Sequence, residues 1–145
     1  MIKDFIEFIA DHVLISLAWC FLFIALVYVI VLKWLSNFSE ISCYDVIRLI
    51  NTEGSVVIDV RNQNDFYQSH IIGSVHLYAE DIRVYGSREL FTFKGKSLIL
   101  VCSNGIVSCS IARCLYKLGF SPIYVLAGGI ASWKNESLPL VQGKK

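Results

Sequence analysis

One uninterrupted apolar run near the amino terminus constrains this chain more than any other feature. Residues 13–32 read VLISLAWCFLFIALVYVIVL, twenty positions without a charge or a proline. As an α-helix rising about 1.5 Å per residue, the run would be roughly 30 Å long, the thickness of a bilayer core. A helix that is apolar on every side is rare in the core of a small soluble domain. We therefore expect a transmembrane helix over about 13–32.

The flanks of the run distinguish an anchor from a cleaved signal peptide. A signal peptide has a basic start, a shorter apolar stretch and a small-residue cleavage site. Here the start is acidic, and the run ends in Lys33-Trp34, where an amine and an aromatic ring suit the membrane interface. Basic residues close to the run, Lys3 and Lys33, are balanced. We expect an uncleaved single-pass anchor with the following domain in the cytoplasm.

The remainder of the chain has the patterning of one α/β domain. We divide the sequence into an N-terminal segment with its helix (1–35), a linker (36–41), a domain (42–141) and a tail (142–145). The apolar stretches SVVIDV, SLILV and PIYVL read as buried strands, and helical patterns separate them. Buried strands that alternate with helices are typical of a parallel sheet covered on both faces. The predicted fold class is α/β, a central parallel sheet flanked by helices, behind one transmembrane helix.

Local signals give approximate bounds for these elements. Ser42 and Asp45 have the spacing of a capping box and predict the start of a helix. Gly119 follows the last apolar position of another helix, where glycine commonly ends helices. The predicted strands are 55–60, 74–77, 97–101 and 122–126. The predicted helices are 43–51, 63–70 and 79–84, followed by a helix that ends at Gly119 and a short last helix that contains Trp133.

Charge and cysteine spacing argue against several functions. The formal net charge is +1 and no basic run occurs, so nucleic-acid binding has no support. The five cysteines include no C-x-x-C pair, so neither a zinc site nor a thioredoxin-type site is indicated, and we predict no metal and no cofactor. Free cysteines suit a reducing compartment.

A cysteine directly follows one of the buried strands. Residues 101–108 read VCSNGIVS, which places Cys102 at the carboxyl end of the strand, before a short loop and a helix. Ligands of open parallel sheets bind at this edge. Gly105 permits unusual backbone geometry, and amides of such a loop can converge on an anion or a thiolate nucleophile. The residues alone leave two interpretations: a reactive cysteine, or a small apolar residue that ends the strand.

Over about residues 40–141 the chain resembles the rhodanese-like family. The resemblance depends on five short motifs that occur in the family's order. They are Asp59-Val60-Arg61; Phe66 with His70-Ile71-Ile72-Gly73-Ser74-Val75; Cys102 to Ser108 as C-x-x-G-x-x-S; Leu126-Ala127-Gly128-Gly129-Ile130 with Trp133; and Leu138-Pro139-Leu140-Val141. An anchor followed by one such domain is similar to the membrane-anchored, single-domain bacterial type within this family, which implies the bacterial inner membrane.

The resemblance implies sulfur transfer through a cysteine persulfide. Cys102 would take sulfane sulfur from a donor, and a thiol acceptor would remove it. Asp59 and Arg61 would brace the site. The substrate-binding loop would comprise Ser103, Asn104, Gly105, Ile106, Val107 and Ser108. The implied partners are a sulfur donor and a thiol acceptor, either of which is a small molecule or a protein. The lipid bilayer is a partner through residues 13–32, and a membrane protein is a further candidate.

The loop departs from the family pattern in its charge. Many members carry arginine where this chain has Ser103 and Val107, so the positive charge that favours an anionic donor such as thiosulfate is absent. This departure keeps a second hypothesis open, a non-catalytic rhodanese-fold interaction module tethered at the inner membrane. A cysteine phosphatase would need arginine at Ser108 to bind phosphate through a guanidinium fork. Cys109 is either a resolving thiol for Cys102 or a small helix residue.

Overall fold

The computed structural model describes residues 13–34, 38–85 and 88–143. The predicted segment before residue 13 and the last two residues of the predicted tail lie outside this range. The chain divides near residue 36 into two compact units, an N-terminal helix and a domain.

Helix α1 spans Val13–Trp34. Its first 19 residues, Val13–Val31, are apolar enough and long enough to cross a membrane. None of the side chains described in that stretch is buried, as the exposure of Leu14, Trp19 and Phe21 illustrates. The prediction of an apolar N-terminal helix of bilayer length is confirmed.

A parallel sheet of five strands forms the centre of the domain. The strands are β1 (Ser39–Ile41), β2 (Val56–Asp59), β3 (Val75–His76), β4 (Leu98–Val101) and β5 (Ile123–Leu126), in the spatial order β1-β5-β4-β2-β3. Every neighbouring pair is parallel. All five strands therefore end at one edge of the sheet, and β4 lies at its centre. This arrangement confirms the predicted α/β class.

Within the described residues, six helices follow α1. They are α2 (Cys43–Glu53), α3 (Gln63–Gln68), α4 (Ala79–Tyr85), α5 (Arg88–Phe91), α6 (Ile106–Lys117) and α7 (Gly129–Asn135). The predicted capping box starts α2, since the Ser42 hydroxyl accepts a hydrogen bond from the Asp45 backbone N–H at 3.3 Å. Gly54, at φ +61°, ends the same helix in the left-handed conformation that glycine tolerates.

The central strands bury side chains on both faces of the sheet, because helices cover both faces. Ile58, Leu100 and Val125 pack on one side with Ile111 and Leu115 of α6. The other side holds Val57, Ile99, Val101 and Leu126, together with Val46 and Leu49 of α2 and Ile130 and Trp133 of α7. Such continuous burial explains why the central strands read as uninterrupted apolar runs.

Two elements were not predicted from the sequence. Strand β1 lies in the segment assigned to the linker (36–41), and it pairs with β5 from Ser39 opposite Tyr124 to Ile41 opposite Leu126. Helix α5 is only four residues long. A three-residue edge strand and a single helical turn are too short for a periodic pattern, so their formation depends on distant contacts that local sequence does not display.

Candidate active site

Cys102 is the first residue after the central strand β4, at the edge where the strands end. Its side chain is 2% exposed. Two backbone amides donate hydrogen bonds to its sulfur: Gly105 N lies 3.1 Å and Ser108 N lies 3.4 Å from Sγ. Oriented N–H groups stabilise negative charge on an acceptor atom. The loop therefore curls around the sulfur and directs two N–H groups at it.

The shape of the loop depends on a close approach by the segment between β5 and α7. Gly105 has φ +90°, and a Cβ added there would lie 3.3 Å from Gly128 N and 3.5 Å from the Leu126 carbonyl oxygen. Both the left-handed conformation and the crowding favour glycine at this position. Asn104 supports the same turn, because its Oδ1 accepts a hydrogen bond from Ile106 N at 3.3 Å.

The Gly128-Gly129 motif, at the start of α7, packs against the loop of residues 102–108, which we call the active loop. Ile130 N donates to the Cys102 carbonyl oxygen at 2.9 Å, and Ala131 N donates to the Ser103 carbonyl oxygen at 3.1 Å. A Cβ at Gly129 would overlap the Cys102 carbonyl oxygen and would lie 2.8 Å from Asn104 N. This motif therefore fixes the backbone that positions Cys102 Sγ.

Asp59 and Arg61 form a buried ion pair at the end of β2. Arg61 Nη2 lies 2.7 Å from Asp59 Oδ2, and Arg61 Nε lies 3.0 Å from Asp59 Oδ1. The same guanidinium group donates to the Ser69 carbonyl oxygen at 2.6 Å. Asp59 pairs in the sheet with Val101, the residue before Cys102. The pair thus links the end of β2 to the segment at Ser69 and lies beside the end of β4. Its role in bracing the catalytic site stays a prediction.

The outer surface of the loop is uncharged and largely apolar. Ile106 is 72% exposed and Val107 is 39% exposed, and Ser103 is exposed beside them. A cavity of about 260 Å³ borders Ser103 on the side of Arg61 and Lys134. The Arg61 side chain is committed to Asp59 and Ser69, and Asp65 accompanies Lys134 in the lining. The lining therefore combines the paired Arg61 side chain with one further side chain of each charge.

Ser108, the last residue of the loop, is fully buried. Its backbone N–H reaches Cys102, but its hydroxyl has no hydrogen-bond partner within residues 38–85 and 88–143. A buried hydroxyl without a partner is costly in a folded protein. Among the residues described, the Ser108 hydroxyl is thus an unpaired donor on the residue whose backbone N–H contacts Cys102 Sγ.

Cys109 lies one residue beyond the loop and contacts an acidic side chain. Its Sγ is 3.7 Å from Glu40 Oε1, and it forms no disulfide. Burial, followed by the charge of Glu40 and the hydrogen bond to it, raises the pKa of the Cys109 thiol, and the positive charge of Arg113 opposes this. Cys109 is thus held as a thiol at neutral pH. Sequence reasoning gave Glu40 no role, since its proximity to Cys109 depends on the unpredicted strand β1.

The fold and the cysteine loop define the class of the domain. Residues 42–136 match the family described as "Rhodanese-like domain". The chain belongs to this family.

Relatives extend the similarity beyond the domain. The protein YibN of Escherichia coli (strain K12) is 35% identical over 142 residues, which cover 98% of this chain and 99% of the relative. Thiosulfate sulfurtransferase GlpE of Coxiella burnetii (strain RSA 493 / Nine Mile phase I) is 31% identical over 97 residues, 67% of this chain and 88% of the relative. A rhodanese-related protein from Thermoplasma volcanium, whose crystal structure is solved, has a TM-score of 0.63 and 25% identity over 72% of this chain and 98% of its own. These findings support a domain of sulfurtransferase type.

Proposed function

We propose that the chain is a rhodanese-type sulfurtransferase that carries sulfane sulfur as a persulfide on Cys102. The observation that carries this proposal is the pair of N–H groups, of Gly105 and Ser108, directed at the buried Sγ. A thiolate is the nucleophilic form of cysteine, and hydrogen bonds stabilise it before attack and when it later leaves. The name of the relative GlpE, a thiosulfate sulfurtransferase, supports the same chemistry.

The reaction divides into two displacements at the sulfane sulfur. The Cys102 thiolate attacks that atom, and the bond between it and the rest of the donor breaks, so that the electron pair leaves with the donor. An acceptor thiolate then attacks the outer sulfur of the persulfide, and Sγ leaves as the thiolate held by Gly105 N and Ser108 N. No external oxidant or reductant is required, because the sulfane sulfur is passed on in the same oxidation state.

The loop surface favours donors that do not depend on a cation for binding. With Ser103 and Val107 in place of arginines, and with Ile106 exposed, thiosulfate gains no guanidinium contact from the loop. We expect apolar or protein-borne persulfides to load Cys102 better than thiosulfate. The same exposed apolar surface favours the second candidate, a non-catalytic module that binds a partner through Ile106 and Val107.

Intact-mass spectrometry separates the two candidates. The full chain in detergent micelles is incubated with thiosulfate or with a low-molecular-weight persulfide, and the excess donor is removed. The intact mass is then measured before and after treatment with a reducing agent. We expect a gain of one sulfur atom that reduction reverses and that peptide fragmentation assigns to Cys102. A folded chain that gains no sulfur from these two donors or from a persulfidated protein would exclude the enzyme and leave the interaction module.

We further propose that helix α1 anchors the chain in a bacterial inner membrane, with the domain in the cytoplasm. The length and apolar surface of α1 support the anchor, and YibN, which is similar over nearly the full length of the chain, comes from a bacterium. In membranes from an expressing bacterium, the chain is expected to resist alkaline carbonate extraction. The domain is expected to be digested by protease in inverted vesicles and protected in spheroplasts. Release by carbonate would contradict the anchor, and digestion in spheroplasts would reverse the orientation.

A further inference from the structure

A second cavity, of about 230 Å³, borders the loop of residues 102–108 between the strands β1 and β5 and the start of α6. We call it the Glu40 cavity. Its lining combines three loop residues with one residue each from β1 and α6 and with the end of β5 and the residues after it: Asn104, Gly105, Ile106, Glu40, Cys109 and residues 125–128. Since a water molecule occupies about 30 Å³ of liquid, the cavity has the size of a small organic molecule.

The cavity lies against the wall of the loop that holds the reactive sulfur. Gly105 contributes to its lining, and the N–H of the same residue lies 3.1 Å from Cys102 Sγ. The carbonyl oxygen of Gly105 accepts a hydrogen bond from Cys109 N at 3.2 Å, which fixes the start of α6 against the loop. A molecule in the Glu40 cavity would therefore contact the loop residue whose N–H donates to Cys102 Sγ.

The charge of the lining selects what binds there. Glu40 is the one charged residue that lines the cavity within the described part of the chain. Cys109 stays neutral, because burial and the Glu40 carboxylate raise the pKa of its thiol. Arg113 lies near enough to Cys109 to oppose this shift, but it does not line the cavity, and its guanidinium group sits over the Phe38 ring at 5.9 Å.

We infer that the Glu40 cavity binds the sulfur acceptor and favours thiols that carry an ammonium group close to the sulfur. This inference rests on the proposed persulfide on Cys102. The ammonium group pairs with the Glu40 carboxylate, and the thiol is directed along Asn104 and Gly105 to the loop. The acceptor thiolate forms a bond to the outer sulfur, the bond from that sulfur to Sγ breaks, and the thiol proton leaves to solvent.

The test compares two acceptors of similar size and opposite charge, cysteamine and 3-mercaptopropionate. The full chain is first loaded with sulfur at Cys102, and the second-order rate constant of discharge is measured for each acceptor. Because the two thiols differ in intrinsic reactivity, the informative quantity is the ratio of their rate constants, compared between variants. In Glu40→Gln the ratio of cysteamine to 3-mercaptopropionate is expected to fall about fivefold, the effect of an exposed charge pair.

The matched control is Glu53→Gln, an exposed carboxylate at the end of α2 that lines neither cavity. This variant is expected to keep the wild-type ratio. Raising the salt concentration is expected to lower the wild-type ratio, because salt screens exposed charges, and to leave the Glu40→Gln ratio unchanged. A ratio that is equal in wild type and Glu40→Gln, in chains that load normally, would overturn the acceptor site alone. Failure of the wild-type chain to load would overturn the proposed function as well.

Discussion

Replacing Cys102 by serine is expected to abolish sulfur loading and to lower the rate of sulfur transfer by at least about a thousandfold, the scale seen when an enzyme loses its nucleophile. Serine is close to cysteine in volume, so the amides of Gly105 and Ser108 keep an acceptor in place. An unactivated hydroxyl is a far weaker nucleophile than a thiolate. The measurement is the initial rate of transfer from a persulfide donor to a thiol, with intact mass recorded in parallel.

Cys114→Ser is the matched control for this experiment. Cys114 is a free cysteine on the same helix as Cys109, it is only partly buried, and it lines neither cavity. We expect this variant to load and transfer sulfur at the wild-type rate. Transfer that persists in Cys102→Ser, or that disappears in Cys114→Ser, would show that the persulfide forms on another sulfur.

The sequence predicted the part of the site that is continuous along the chain. A buried strand followed by Cys102 and Gly105 indicates a nucleophile at the carboxyl edge of a sheet, and the structure places Cys102 there. The Gly128-Gly129 motif was recognised by resemblance, but its reason is three-dimensional: only without a Cβ can Gly129 approach the Cys102 carbonyl oxygen. The motif is local, whereas its function depends on contact between two loops.

The Glu40 cavity could not be predicted from the sequence, because it too depends on contacts between segments that are distant along the chain. Glu40 and Cys109 are 69 residues apart in sequence and meet because β1 joins the sheet next to β5. A three-residue strand has neither alternation nor a continuous apolar run, so the segment resembles a linker. Sequence patterns thus indicate where Cys102 lies, whereas the pairing of the edge strand β1 with β5 brings Glu40 next to Cys109.

Replacing Arg61 by methionine is expected to lower the free energy of unfolding by about 3–5 kcal/mol, because the Asp59 carboxylate is left buried without its partner. The side chains of Asp59 and Arg61 are 1% and 6% exposed, so the Asp59 carboxylate is shielded from solvent. The variant also loses the hydrogen bond to the Ser69 carbonyl oxygen. For a domain of this size the melting temperature would fall by roughly 15 °C or more. Urea and thermal unfolding of the full chain, followed by circular dichroism, give both quantities.

A double variant shows whether the unpaired charge causes this loss. In Asp59→Asn with Arg61→Met the buried charge is gone, and the asparagine oxygen still accepts the hydrogen bond from the residue-61 N–H that Asp59 Oδ1 accepts at 3.0 Å. Since replacing a whole buried ion pair by neutral groups is often far less harmful than breaking it, we expect the double variant to regain about 1–2 kcal/mol over Arg61→Met. Equal stability of the two variants would assign the loss to packing and to the bond with Ser69. If stability returns while sulfur transfer stays low, the ion pair positions the active strand as well as stabilising the domain.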